Sequence, residues 1–314
     1  MISEILYLTG GHYISVIGYL HYCKYNKQLS DHTVRAYRID LRQFSDYFNN
    51  SDINDISAKS IEDFISTLHE RSKPKTVKRK VASVKAFYHY LEYRDMLHSN
   101  PFSKMNIKFR EPITLPKTIP LSSVEAILKA AYAEKTAGST ARRKENAFRD
   151  SAMLELLFAT GIRISELCNL SPDSVDLLNH TILIHGKGAK ERMIQIENPY
   201  TLAALHDYYD RFNEAIQKCN SFFANRNGTP LSDQSARRII RRYTELASVS
   251  QHITPHMFRH TFATSLLDAG VDIRYIQEFL GHSSISVTQI YTHVSMSKQK
   301  EILATKHPRN KFEI

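Results

Sequence analysis

Long apolar runs are what this 314-residue sequence most lacks. The longest, SAMLELLFA ending at Ala159, stops well short of the roughly 18 residues a membrane span needs, so no transmembrane helix is expected. The first residues, MISEILYLTGG, put no basic stretch ahead of their few apolar ones and offer no small-residue cleavage site. No secretory signal is expected, and the protein is placed in the cytoplasm. Cysteine is scarce: Cys23, Cys168 and Cys219 are an odd number at unrelated spacings, which excludes a disulfide framework or a zinc cluster and leaves them reduced. Acid is in deficit, with 32 Asp and Glu against 42 Lys and Arg, and the net charge of +10 favours a polyanionic partner. Nucleic acid leads; an anionic membrane surface trails. No GxxxxGK[ST] loop occurs, which argues against nucleotide hydrolysis, and no internal repeat or low-complexity tract is found.

What is there reads as an ordinary globular chain, 42% hydrophobic and 24% charged, long enough for two domains. Helical periodicity marks residues 13–29, a run from Thr33 to Phe48 opened by Ser30 and Asp31, a third from Ser60 to His69 and a fourth from Pro74 to Tyr93. Residues 1–110 therefore form an all-helical module, and with 17 basic against 11 acidic residues it is the more basic part of the chain. Within it RSKPKTVKRK concentrates Lys73, Lys75, Lys78, Arg79 and Lys80 without an acid, either a solvated face or a nucleic-acid contact. Residues 111–121, with Pro112, Pro116 and Pro120 and no amphipathic period, read as a linker. Residues 122–314 form the second domain. Ser122 is expected to cap one helix, Ala147 to Thr160 to form another ending at Gly161, TILIHGKGAKERMIQI to form a hairpin, and the chain to return to helix from Leu202. The fold class is mainly α: a helical N-terminal domain, then a mixed, mostly helical domain with a small antiparallel sheet.

Four local patterns carry possible chemistry. In TPHMFRH, Thr254 and Pro255 start a helix that puts His256 in its first turn and Arg259 one turn on, either a phosphate-sized anion pocket or a capped helix with a surface arginine. His256 and His260 have the i, i+4 spacing of zinc ligands, but Met257 stands where a metalloprotease needs Glu and no third ligand is evident. No metal is expected, and His260 is read as a packed or hydrogen-bonded core residue. In ATGIRISEL, Gly161 breaks a helix and Arg163 and Glu166 fall i, i+3 on the next turn, a spacing usually met in surface ion pairs of little worth. In GKGAK the glycines project Lys187 from a hairpin tip. In LGHSSISVTQIYTHV, Gly281 ends a helix, Ser286 and Gln289 resemble a capping box, and Tyr291 rides on a short helix.

Taken in order, these patterns resemble the tyrosine recombinase (phage integrase) family, most closely its Xer-type members, over nearly the whole chain. The resemblance implies that residues 1–110 are a SAM-like core-binding domain and residues 122–314 the catalytic domain. It implies that Arg163 and Arg259 are paired arginines on a phosphate, Lys187 the hairpin lysine, His256 and His282 the two histidines, and Tyr291 the nucleophile, with Glu166 in support. The implied activity is site-specific recombination of double-stranded DNA at a core site through a 3′-phosphotyrosyl intermediate, by four protomers and without cofactor. It also implies a homo- or hetero-tetramer on DNA, held through a C-terminal segment for which the amphipathic stretch Ser295 to Leu303 is suited, with a DNA translocase or accessory factor as a possible further partner.

The chemistry suits those residue types. Two guanidiniums can neutralise non-bridging oxygens bidentately, and a phenol with a free pKa near 10 needs desolvation, positive charge and a base, for which His256 is placed. Arg237, Arg238, Arg241 and Arg242 recur along one helical side and either line a DNA channel or form a solvated face. Integration of a mobile element stays open beside resolution of chromosome dimers. A type IB topoisomerase-like enzyme and a non-catalytic DNA-binding regulator are the more distant alternatives.

Overall fold

The protein is described by a computed structural model, which covers residues 12–107, 109, 117–186, 191–281 and 296–312. The chain divides into two compact units, one ending at Thr114 and the other beginning at Leu115.

Among the described residues the first unit has four α-helices, α1 (His12–Tyr25), α2 (Asp31–Tyr47), α3 (Ala58–Arg71) and α4 (Pro74–Tyr93). Ser30 and Ser57 cap α2 and α3 by accepting from the backbone N–H of Thr33 and Ser60, and Pro74 opens α4 where no N–H is needed. Leu41, Phe44, Ile61, Phe64, Val77, Val84, Phe87 and Leu91 recur at helical spacing and close the core. One charge lies inside it: Asp40 is buried and accepts from the Ser83 hydroxyl at 2.8 Å and from the Arg79 guanidinium.

The second unit is built around α6 (Ala141–Thr160), against which α5 (Leu121–Ala137), α8 (Pro199–Cys219) and α10 (Pro255–Asp268) pack. From Ala152 to Thr160 α6 is buried on every side, as a central helix must be. It begins six residues earlier than the apolar pattern predicted, because Thr140 caps a polar, exposed first turn. Likewise Pro120, not Ser122, precedes α5, and α8, capped by Asn198, begins three residues before Leu202. The stretch expected as linker is docked at its end: Ile119 is buried and its N–H donates to Thr261 Oγ1 of α10 at 2.8 Å.

A three-stranded antiparallel sheet, β1 (Val175–Asp176), β2 (Thr181–His185) and β3 (Glu191–Gln195), contains the expected hairpin, paired out to His185 opposite Glu191. A further two-stranded ribbon, β4 (Ala224–Asn225) and β5 (Thr229–Pro230), lacks strands long enough to show alternation in the sequence. The short α7 (Ile164–Cys168), α9 (Asp233–Leu246), α11 (Ile273–Leu280) and α12 (Met296–Lys306) complete the unit.

Toward the C-terminus, Ile302, Leu303, His307, Arg309 and Phe312 are all buried, the apolar three within the core of the second unit. Arg309 donates three hydrogen bonds of 2.9–3.1 Å to Glu155 of α6, and Tyr132 and Thr201 donate to the same carboxylate. A buried ion pair with its remaining lone pairs satisfied is tolerated where a lone charge is not. No described helix is long and apolar enough to cross a membrane.

Candidate active site

Gly161 ends α6 in the left-handed region, at φ +60°, and turns the chain so that Arg163 becomes the N-cap residue of α7. Glu166, three residues on, accepts the Arg163 N–H on Oε2 at 3.0 Å and the Arg163 Nη1 on Oε1 at 2.7 Å. The pair is not the surface ion pair that spacing alone suggested, because Glu166 is only 8% exposed. A buried carboxylate needs further donors, and Arg192 of β3 supplies them, with Nη2 to Oε2 at 2.6 Å and Nη1 to Oε1 at 3.1 Å. Burial pushes the Glu166 carboxyl up, but the hydrogen bonds and charge of Arg192, joined by Arg163, outweigh it and hold the group below its usual range.

Arg259 reaches the same turn from α10. The helix starts at Pro255 as the sequence indicated, although the Thr254 side chain makes no capping bond. Met257, Phe258, Thr261 and Phe262 face the core, and Arg259 is buried with them at 5% exposure, which removes the surface-arginine reading. Its Nη1 donates to the Gly161 carbonyl at 2.8 Å and its Nη2 to the Leu280 carbonyl at 2.5 Å. Burial, followed by the charges of Arg163 and Arg192, pulls its pKa down to about 10 against the opposing pull of Glu166, so it stays cationic at neutral pH. Like charges gathered around one carboxylate leave a net positive site fit for an anion.

His256 and His260 lie on the exposed side of α10. For His260 this corrects the packed-core expectation: one turn past His256, it shares the solvent side, and the core positions belong to the four apolar or hydroxyl residues named above. Partial desolvation and the charges of His256 and Arg259 hold the His260 imidazole below its ordinary value. No cluster of three or more metal-ligating side chains occurs among the described residues.

Lys187, His282 and Tyr291 lie outside the described residues. The chain is described again on either side of the first two: β3 begins at Glu191, and α11 is closed by Gly281, φ +62°, directly before His282. These two places touch, since a Cβ on Gly281 would stand 3.0 Å from Arg192 Nη1.

The basic residues proposed for DNA contact divide by environment. Lys73, Lys75, Lys78, Arg237 and Arg238 are exposed, and Lys80 is half-buried. Arg79 is tied to the buried Asp40, Arg241 pairs with Glu245 at 2.8 Å, and Arg242 pairs with Glu134 beside Asp150. Tyr243 is core, fully buried with its hydroxyl on Asp150.

The profile of the phage integrase family matches residues 119–298, and that of its N-terminal SAM-like domain matches residues 16–95. The chain belongs to the phage integrase family. It is a tyrosine recombinase: it is 56% identical over 297 residues to a tyrosine recombinase of Agathobacter rectalis, covering 95% of this chain and 97% of that protein. It is 33% identical to tyrosine recombinase XerC of Bacillus subtilis, covering 93% and 95%. Among solved structures, a lambda integrase dimer bound to a COC′ core site superimposes with a TM-score of 0.67 at 15% identity, covering 90% and 98%. XerH bound to palindromic difH gives 0.67 at 20% identity, covering 90% and 82%. At those identities the structural likeness establishes the tyrosine recombinase fold, and the family rests on the sequence matches. What the sequence reading missed is Arg192, whose only signal is an arginine in register with Ile194 and Ile196 on the buried face of a strand.

Proposed function

We propose that the protein is a cytoplasmic, Xer-type site-specific recombinase that cleaves and rejoins duplex DNA through Tyr291. The observation that carries this is the convergence of Arg163 and Arg259 from separate helices on the Gly161 turn. In the proposed step the Tyr291 phenolic oxygen attacks the scissile phosphorus, its proton passing to His256. The bond from phosphorus to the 5′ oxygen breaks, and Lys187 protonates the departing alkoxide. Arg163, Arg259 and His282 neutralise the non-bridging oxygens, with Glu166 holding Arg163. The products are a 3′-phosphotyrosyl strand and a free 5′-hydroxyl. The bond energy is kept, so attack by a 5′-hydroxyl of another strand reverses the step with no cofactor. The charge work assigned to the arginines is what a divalent ion does in other phosphoryl transfers. Residues 1–110 and 122–314, joined through 111–121, would bind the duplex as two basic domains. Four protomers on two sites would exchange strands in sequence, as homo- or hetero-tetramers.

Trapping tests the reading. Wild-type and Tyr291→Phe protein are incubated with nicked duplexes drawn from DNA flanking the gene, then denatured. The expected result is a covalent protein–3′ DNA adduct in wild type alone. Equal adduct in both would remove Tyr291 as the nucleophile, and site-specific binding with adduct in neither would favour a binding-only role.

A further inference from the structure

The geometry points to Arg192 as the positioning residue that holds Arg163 and Arg259 in register with β3 and with the end of α11. This rests on the recombinase reading above. Arg192 occupies an apolar register position of β3 with its side chain only 10% exposed, so its charge stands where Ile194 and Ile196 make core. All three guanidinium nitrogens are engaged. Nη1 and Nη2 grip both oxygens of Glu166, and Nε donates to the Phe279 carbonyl at 3.0 Å. Arg163 holds the same two carboxylate oxygens from the other side, so Glu166 is a plate between two arginines.

The other end of the contact is equally specific. Phe279 and Leu280 are the last residues of α11, whose final carbonyls lack helical donors. Arg192 takes one and Arg259 takes the next. Two cations therefore cap one helix C-terminus, where the macrodipole is negative. Glycine suits position 281 for its positive φ, and a Cβ there would crowd Arg192 Cδ at 3.1 Å. Arg192 thus joins the α6–α7 turn, the hairpin and the end of α11. Each of its nitrogens donates inside the protein and its side chain is nearly buried, so its role is assigned through Arg163 and Arg259 and not through the substrate.

The test compares wild type, Arg192→Lys and Arg192→Gln in single-turnover cleavage of a nicked duplex at saturating protein. The scissile position is either a phosphodiester or a methylphosphonate, which lacks one anionic oxygen. DNA affinity and thermal melting are measured alongside. Arg192→Gln should lose about 10²-fold in the cleavage rate constant, the scale of a misplaced catalytic group, with DNA affinity unchanged. Arg192→Lys keeps the charge but cannot hold two oxygens and a carbonyl, and should fall between. Both defects should shrink on the methylphosphonate, where displaced arginines have less charge to neutralise, a response that loose folding would not produce. If Arg192→Gln fails to melt cooperatively, Arg192→Lys carries the comparison. Cleavage equal to wild type, equal defects on both substrates, or a loss confined to affinity would each overturn the inference alone. A wild type that forms no adduct overturns the recombinase reading and the inference with it.

Discussion

At Gly161 a single missing side chain decides the geometry of the site. The residue stands at φ +60°, and a Cβ there would lie 2.7 Å from Phe262 Cδ1 and 3.0 Å from Leu280 Cδ2. Its carbonyl is also the acceptor for Arg259. Gly161→Ala should cost about 1–2 kcal/mol for the left-handed backbone and about 1–3 kcal/mol for overpacking, read as a lower denaturation midpoint. Cleavage should fall further than stability, because relief of the clash moves the acceptor of Arg259; unchanged cleavage in folded protein would detach the turn from catalysis. Residues of this kind are the legible ones: a glycine ending an apolar run, then arginine and glutamate three apart, show in the linear sequence. Arg192 was hard to read because its partners lie 26 and 87 residues away, and its one local signal, a place in register with Ile194 and Ile196, does not say what it would hold.

Among the elements, the long helices were legible because amphipathic spacing persists over several turns, and their starts were not, because polar first turns such as Ala141–Asn146 carry no period. The C-terminal segment shows a different limit. Its sequence allows a helix but does not say which residues reach the core; Ile302 and Leu303 do, and the chain beyond the helix follows them. His307 is the anchor: its ring packs against Phe158 and Phe262, its Nε2–H donates to the Ala159 carbonyl at 2.9 Å, and its Nδ1 accepts the Arg309 N–H at 2.9 Å. That pattern needs the neutral imidazole. Burial first, with Arg309 adding, lowers its pKa to about 4 from an ordinary 6.5. The unfolded chain therefore binds more protons between those values, and folding loses stability as pH falls from about 6.5 to about 4, by about 3 kcal/mol in full. Above pH 6.5 the contribution is flat. The stability difference between wild type and His307→Gln, followed by denaturant melts across pH, should shrink through that window; a difference that does not move would show that the ring is not the neutral anchor described.

For the whole molecule, the excess of positive charge was legible as a polyanion-binding signal, but which cations serve binding and which serve folding was not. Composition counts Arg79 and Lys75 alike. In the fold, Arg79 is spent on Asp40, whose buried Oδ2 it shares with Ser83 and whose Oδ1 has no protein partner. Lys73 and Lys75 stand exposed at the N-terminal end of α4, where positive charge opposes the helix dipole and only an anion would relieve it. Under the proposed DNA-binding role the two kinds of substitution should separate. Lys73→Ala and Lys75→Ala should leave melting unchanged and weaken DNA binding, each lowering the steepness of log affinity against log salt by about 0.9, the value for one phosphate contact. Arg79→Ala should instead lower the melting temperature of the first unit, because it strands a buried carboxylate, and should change the salt slope little once binding is measured on folded protein. Salt titrations of binding to a duplex of fixed sequence, with melts of each variant beside them, decide it: a full unit of slope lost at Arg79, or none at either lysine, would put the DNA on a different face of this domain.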